Sequence, residues 1–116
     1  MHSFAYKNGT LYCENVNLQE LADKESTPLY VYSKQTILNH FHRLREALAP
    51  LNAEVAYAVK ACSNIAILNL MARNGAGFDI VSGGELFRVL KAGNPLCPGP
   101  GHLLLQCGIR SGTAGH

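Results

Sequence analysis

The sequence predicts an α/β fold. From residue 54 onward, strand-like and helix-like segments alternate at about twenty-residue intervals, the pattern of consecutive βα units in a parallel sheet. The strand-like segments are apolar enough to be covered on both faces, as parallel strands are. Glycine or an Asn-Gly pair punctuates the end of each helical segment, where a left-handed residue stops a helix.

Asn8-Gly9 lies between the short mixed segments 4–6 and 11–13 and predicts a hairpin, because a tight two-residue turn needs left-handed backbone at both central residues. Residues 17–22 suit one or two helical turns, broken at Ser26-Thr27-Pro28. Leu29-Tyr30-Val31-Tyr32 reads as a strand, its aromatic and branched side chains fitting a half-buried surface. Ser33 is placed to cap a helix over 34–49 that Pro50 ends. In that helix Ile37, Phe41, Leu44 and Leu48 make one apolar stripe, with His40, His42, Arg43, Arg45 and Glu46 off it. His40 and His42 are two apart, face different ways, and are not expected to grip a metal together.

Residues 54–60 read as a buried strand that delivers Lys60 to its C-terminal end. Side chains alternate between faces, so Val55, Tyr57 and Val59 form a bulky face and Ala56, Ala58 and Lys60 a small one that ends in an amine. The alanines leave room for something flat beside the lysine. The plain structural alternative is a lysine that carries its charge out of a strand end to water. Ser63 is expected to cap a helix over 64–73, stopped by Asn74-Gly75; a second strand covers 77–82 and a third helix 84–92, stopped by Gly93.

After Gly93 the pattern changes. Residues 94–101 carry Pro95, Pro98 and Pro100 with Gly99 and Gly101, where a third parallel strand is due. Leu103-Leu104-Leu105 reads as too short and too isolated to replace it, so residues 94–116 are expected to be a flexible tail foreign to the fold before it.

A chain of 116 residues is at most one modest domain, given the usual ~100–200 residues per domain. Its net charge of +2, without a basic cluster interleaved with aromatics, speaks against a nucleic-acid partner. The N-terminus does not have the pattern of a signal peptide, and no apolar run approaches the ~20 residues of a membrane span. A cytoplasmic location and no membrane partner are therefore expected. Cys13, Cys62, Cys97 and Cys107 are scattered, without a paired spacing, and are expected to be free thiols.

Three ionisable residues fall where consecutive parallel strands end: Lys60, Asp79 and Glu85. Ligands of α/β folds bind at those carboxyl ends. A carboxylate on a short strand is costly to bury without a cation, and Lys60 of the adjacent strand is the expected partner of Asp79. The alternative is a structural ion pair. For Glu85 the alternative is a capping box, with Ser82 bonding the amide of Glu85 and Glu85 the amide of Ser82.

Tyr57-Ala58-Val59-Lys60-Ala61 with Ser63-Asn64, then Gly75-Ala76-Gly77-Phe78-Asp79-Ile80-Val81-Ser82-Gly83-Gly84-Glu85-Leu86, resembles the N-terminal part of the diaminopimelate decarboxylases, from about residue 4 to Gly93. Thr27-Pro28-Leu29-Tyr30-Val31-Tyr32 matches the way that family enters its barrel. Ornithine and arginine decarboxylases and alanine racemase share the fold type, and an ornithine- or arginine-type decarboxylase is the second alternative. Val81-Ser82-Gly83-Gly84-Glu85-Leu86 favours the diaminopimelate branch.

The resemblance implies the first βα units of a (β/α)8 barrel over residues 33–93. It implies that residues 1–32 belong to a second, β domain, and that the full-length enzyme is a homodimer. It implies pyridoxal 5'-phosphate as cofactor and an amino acid as small-molecule substrate, with meso-diaminopimelate decarboxylated to L-lysine. Lys60 would be the catalytic lysine, holding the cofactor as a Schiff base with an amine kept partly neutral by burial. Asp79 and Glu85 align with carboxylates near it. Cys62 stands where the family commonly has asparagine. A full barrel needs ~250 residues. The chain is therefore expected to be a truncated decarboxylase, inactive alone, or a non-catalytic remnant that at most binds the cofactor or associates through its open strand edges.

Overall fold

The computed structural model of the chain describes residues 2–93 and the backbone of residues 103–105. It divides into two compact units, Met1–Leu44 and Arg45–His116.

In the first unit, β1 (Phe4–Lys7) and β2 (Thr10–Cys13) pair antiparallel, with Lys7 opposite Thr10 across the Asn8-Gly9 turn. Asn8 at φ 50° and Gly9 at φ 80° are both left-handed, as the predicted hairpin requires. A short β3 (Val16–Asn17), not expected from the sequence, extends the sheet beyond β2. Helix α1 (Leu18–Glu25) begins at Asn17, whose side chain accepts the amides of Gln19 and Glu20, and it runs a turn further than predicted.

The strand predicted over 29–32 does not form. Strand propensity is realised only where a neighbouring strand receives the segment's amides and carbonyls, and residues 29–32 join neither described sheet. Helix α2 (Lys34–Leu48) follows, with the Ser33 hydroxyl accepting the Thr36 amide at 3.1 Å. The sequence gives no hint of Glu14. Its carboxylate accepts the Ser33 hydroxyl at 2.9 Å and the Gln35 amide at 2.8 Å, fastening the hairpin to the start of α2. Those two hydrogen bonds hold the Glu14 carboxyl below its ordinary range.

In the second unit, β4 (Ala56–Ala58) and β5 (Gly77–Ile80) pair in parallel, joined by the crossover helix α3 (Ile65–Arg73). The chain leaves β5 through α4 (Gly83–Lys91). Val59, Leu68, Phe78, Ile80 and Val89 are fully buried and form the core. Burial of such side chains contributes roughly 1.5–3 kcal/mol each. The middle of α3 is tied to the end of α4 by the Asn69 side chain, which donates to the Ala92 carbonyl at 2.8 Å, and Gly75 closes α3 at φ 85°.

The leucine triplet corrects one expectation. Leu103–Leu105 forms β6, parallel to β5 on the side away from β4, with Leu104 opposite Asp79. The edge of β5 offers a row of backbone donors and acceptors, which three extended residues can pair. The prolines that argued against a strand all precede it. The other residues of the expected tail, Cys97 and Cys107 included, lie outside the described residues.

Candidate active site at the carboxyl edge of the parallel strands

The predicted strand over 54–60 is cut short. After Ala58 the backbone tightens into a 3-10 turn, Val59–Ala61, so Lys60 stands on that turn and the strand alternation no longer applies to it. Val59 is fully buried and anchors the turn, while Lys60 is exposed. The burial expected to prepare the lysine is therefore absent here. Cys62 follows the same turn, half-buried and in no disulfide.

Three hydrogen bonds pin the loop that carries Lys60. The Tyr57 hydroxyl donates to the Cys62 carbonyl at 3.0 Å, the Arg88 guanidinium donates to the Ser63 carbonyl at 3.3 Å, and the Asn64 side chain accepts the Ala66 amide at 2.9 Å. Asn64, not Ser63, caps α3. Tyr57 packs edge-on against Phe78, with ring centroids 6.3 Å apart. Burial, and then the Cys62 thiol nearby, push its hydroxyl above the ordinary tyrosine range, which keeps it a donor. Tyr57 and Arg88 are the positioning residues that sequence reasoning missed. Tyr57 was legible only as part of a bulky face, and Arg88 carried no signal.

In the parallel register Ala56 lies beside Gly77 and Ala58 beside Asp79. In-register neighbours share a face, so the small wall expected from β4 continues across β5 and ends in the Asp79 carboxyl. The opposite face carries Tyr57 beside Phe78. The 3-10 turn of Lys60 lies against β5. Because the strands are parallel, the turn after β4 and the start of α4 after β5 emerge at the same edge, and Lys60, Asp79 and Glu85 all belong to it.

The three residues are held very differently. Asp79 Oδ1 is buried without a hydrogen-bond partner, alone in this among the buried side-chain polar atoms of the described residues. The expected ion pair with Lys60 is not formed. Glu85 is engaged. The Ser82 hydroxyl accepts its amide at 3.2 Å, and its own Oε2 accepts the Val81 amide at 2.8 Å. This is a capping box shifted by one residue from the predicted partner, Ser82.

A primary amine open to solvent, a wall without bulk and a buried carboxylate oxygen lacking a donor fit the chemistry of a flat, protonated cofactor that reacts with amines. Pyridoxal phosphate is such a group, and orphaned buried polar atoms call for a partner.

A family model described as "Pyridoxal-dependent decarboxylase, pyridoxal binding domain" matches residues 34–100, running past Gly93 where the sequence pattern changes. The diaminopimelate decarboxylase of Haemophilus influenzae is 50% identical over 93 residues, covering 80% of this chain and 22% of that protein. The diaminopimelate decarboxylase of Pseudomonas fluorescens shows the same identity and coverage. Among solved structures, the diaminopimelate decarboxylase of M. jannaschii in co-complex with L-lysine superposes with a TM-score of 0.74 at 38% identity, over 80% of this chain and 23% of that one. The chain thus spans about a fifth of the length of the relatives it matches.

Proposed function

The chain belongs to the pyridoxal-dependent decarboxylases, and on that footing we propose that its residues serve the decarboxylation of meso-diaminopimelate to L-lysine. The observation that carries the proposal is the 50% identity to diaminopimelate decarboxylases over 93 residues. Any stretch of that length in this chain includes Lys60, Asp79 and Glu85. That level of likeness favours diaminopimelate over the ornithine- and arginine-type substrates. L-lysine held by the M. jannaschii relative is the product this reading requires.

Lys60 would hold pyridoxal phosphate through its amine and, once released by substrate, would carry a proton at Nζ to and from the reacting carbon. Asp79 would take a hydrogen bond at Oδ1 from the protonated Nζ of Lys60, satisfying an oxygen that is otherwise orphaned. Glu85 would support the site by fixing the first turn of α4. Ala56, Ala58 and Gly77 would leave space for the ring. When bound, the cofactor supplies an electron sink for the pair left by departing carbon dioxide. Residues 33–93 would open the barrel, residues 1–32 would belong to the β domain, and the working enzyme would be a homodimer.

The test is reductive trapping. The chain is incubated with pyridoxal phosphate, reduced with borohydride, digested and mapped. All five lysines, Lys7, Lys24, Lys34, Lys60 and Lys91, are exposed, so access alone favours none of them. Labelling is expected first at Lys60 and is lost in Lys60→Ala; equal labelling of the five would sink the assignment. The proposal places no phosphate-binding loop and no partner of the pyridine nitrogen within residues 2–93. The chain alone is therefore expected to be labelled without releasing lysine from diaminopimelate.

A further inference from the structure

The sequence contains two Asn-Gly dipeptides, Asn8-Gly9 and Asn74-Gly75, and the fold treats them in opposite ways. The chemistry latent in such a pair is self-modification. The glycine amide nitrogen, unshielded by a Cβ, attacks the asparagine Cγ. A bond forms between that nitrogen and Cγ, the bond from Cγ to the side-chain nitrogen breaks, and ammonia leaves with the glycine amide proton. Water then opens the five-membered ring at either carbonyl, giving aspartate or isoaspartate. Only water is consumed.

Asn74 is locked against this. Its side-chain nitrogen donates to the Leu70 carbonyl at 2.8 Å, and its backbone amide donates to the Met71 carbonyl at 3.1 Å. The Gly75 amide donates to the Ala72 carbonyl at 3.1 Å, and the Asn74 carbonyl accepts the Arg45 guanidinium at 2.8 Å. Releasing the attacking nitrogen means undoing the end of α3, next to buried Met71 and Ala76.

Asn8 has none of these restraints. It is exposed at the hairpin tip, its side chain makes no hydrogen bond among the described residues, and a Cβ built on Gly9 would meet nothing within 4 Å. The left-handed backbone at Asn8, φ 50°, is not the attacking geometry, so the turn must open first. Opening it disturbs only the terminal pair of the ladder, Lys7 and Thr10. Exposed tips open at far lower free energy than helix ends tied into a core.

We infer that Asn8-Gly9 is a self-modification site: in the folded protein Asn8 converts to aspartate and isoaspartate, while Asn74 is protected until the chain unfolds. Isoaspartate adds a methylene to the backbone and a carboxylate to the tip. A two-residue turn has no room for the extra atom, so modification loosens the Lys7–Thr10 end of the hairpin.

The folded chain is incubated at mildly alkaline pH and physiological temperature, with a parallel sample in denaturant. Peptide mapping follows the mass gain of amide-to-acid conversion at each asparagine, and isoaspartate-specific carboxyl methylation identifies the rearranged product. In the folded sample Asn8 is expected to convert at least about tenfold faster than Asn74, the factor given by 1.36 kcal/mol of easier opening. In denaturant the two rates converge. Equal rates in the folded chain overturn the inference, and so does an intact Asn8 over a period in which the denatured chain converts at both positions.

Discussion

Replacing Tyr57 with phenylalanine removes one oxygen from the loop that carries Lys60 and leaves the ring in place. The lost contact is the hydroxyl bond to the Cys62 carbonyl at 3.0 Å; the edge-on pair with Phe78 remains. A neutral intramolecular hydrogen bond contributes about 1 kcal/mol net. Cys62 is half-buried, so the full penalty for stranding a buried acceptor is not expected. Tyr57→Phe is therefore expected to cost about 1 kcal/mol in denaturant unfolding. Tyr57→Ala, which also loses the aromatic pair, costs a further ~0.5–1.5 kcal/mol or more.

A purely structural role ends there; a positioning role predicts more. In Tyr57→Phe the preference of borohydride trapping for Lys60 over Lys34 and Lys91 should fall while the chain remains folded. The pH profile supplies a second readout. Burial raises the folded hydroxyl above its ordinary value of 10.0, so its contribution is whole below that pH and is lost as pH rises through the higher folded value. The phenylalanine variant should lack that alkaline loss. An unchanged trapping preference in a variant that is destabilised as expected would refute the positioning role.

Asp79→Ala should stabilise the cofactor-free chain by about 1 kcal/mol, because a buried polar atom without a partner costs 1–3 kcal/mol; a lower denaturation midpoint would contradict the orphaned state of Oδ1. Ser82→Ala removes the acceptor of the Glu85 amide and should cost about 1 kcal/mol, read as a drop in unfolding midpoint. Glu14 is held below its ordinary value of 4.5 by the Gln35 amide and the Ser33 hydroxyl. Its contribution is present above pH 4.5 and lost as pH falls through the lower folded value. Glu14→Gln should flatten that acid limb of the stability profile, and an unaltered limb would show that the carboxylate does not fasten the hairpin to α2.

The parts of the fold legible in the sequence are those decided locally. Asn8-Gly9 specifies its turn through backbone sterics alone, Ser82 and Glu85 cap α4 by their spacing, and Gly75 ends α3 because it tolerates φ 85°. The misreadings arose where a distant partner decides. Residues 29–32 have strand-forming side chains but join neither described sheet, whereas Leu103–Leu105 has a weak pattern and an open edge of β5 beside it. Lys60 fails the alternation rule for a related reason. The Tyr57 hydroxyl, reaching five residues ahead, holds a turn that strand propensity alone does not foresee. That Lys60, Asp79 and Glu85 reach one edge follows from the order of the parallel units, whereas how firmly each is held is not written in the local sequence.

That difference in holding separates the two carboxylates. Glu85 Oε2 already accepts a backbone amide at 2.8 Å, so a ligand drawing on that oxygen would strip α4 of half its capping box. Asp79 Oδ1 accepts nothing and is shielded from water. A donor brought to it by a ligand recovers a desolvation cost that folding has left standing, and meets no competing bond. The register strengthens the contrast. Asp79 closes a face otherwise built from Ala56, Ala58 and Gly77, where a ring encounters little side-chain bulk, and the turn of Lys60 lies against the same strand. Glu85 is thus suited to fixing the geometry of the edge, and Asp79 to meeting what enters it. Lys60, exposed and without an ion pair or side-chain hydrogen bond among the described residues, gives up none of these when its amine reacts.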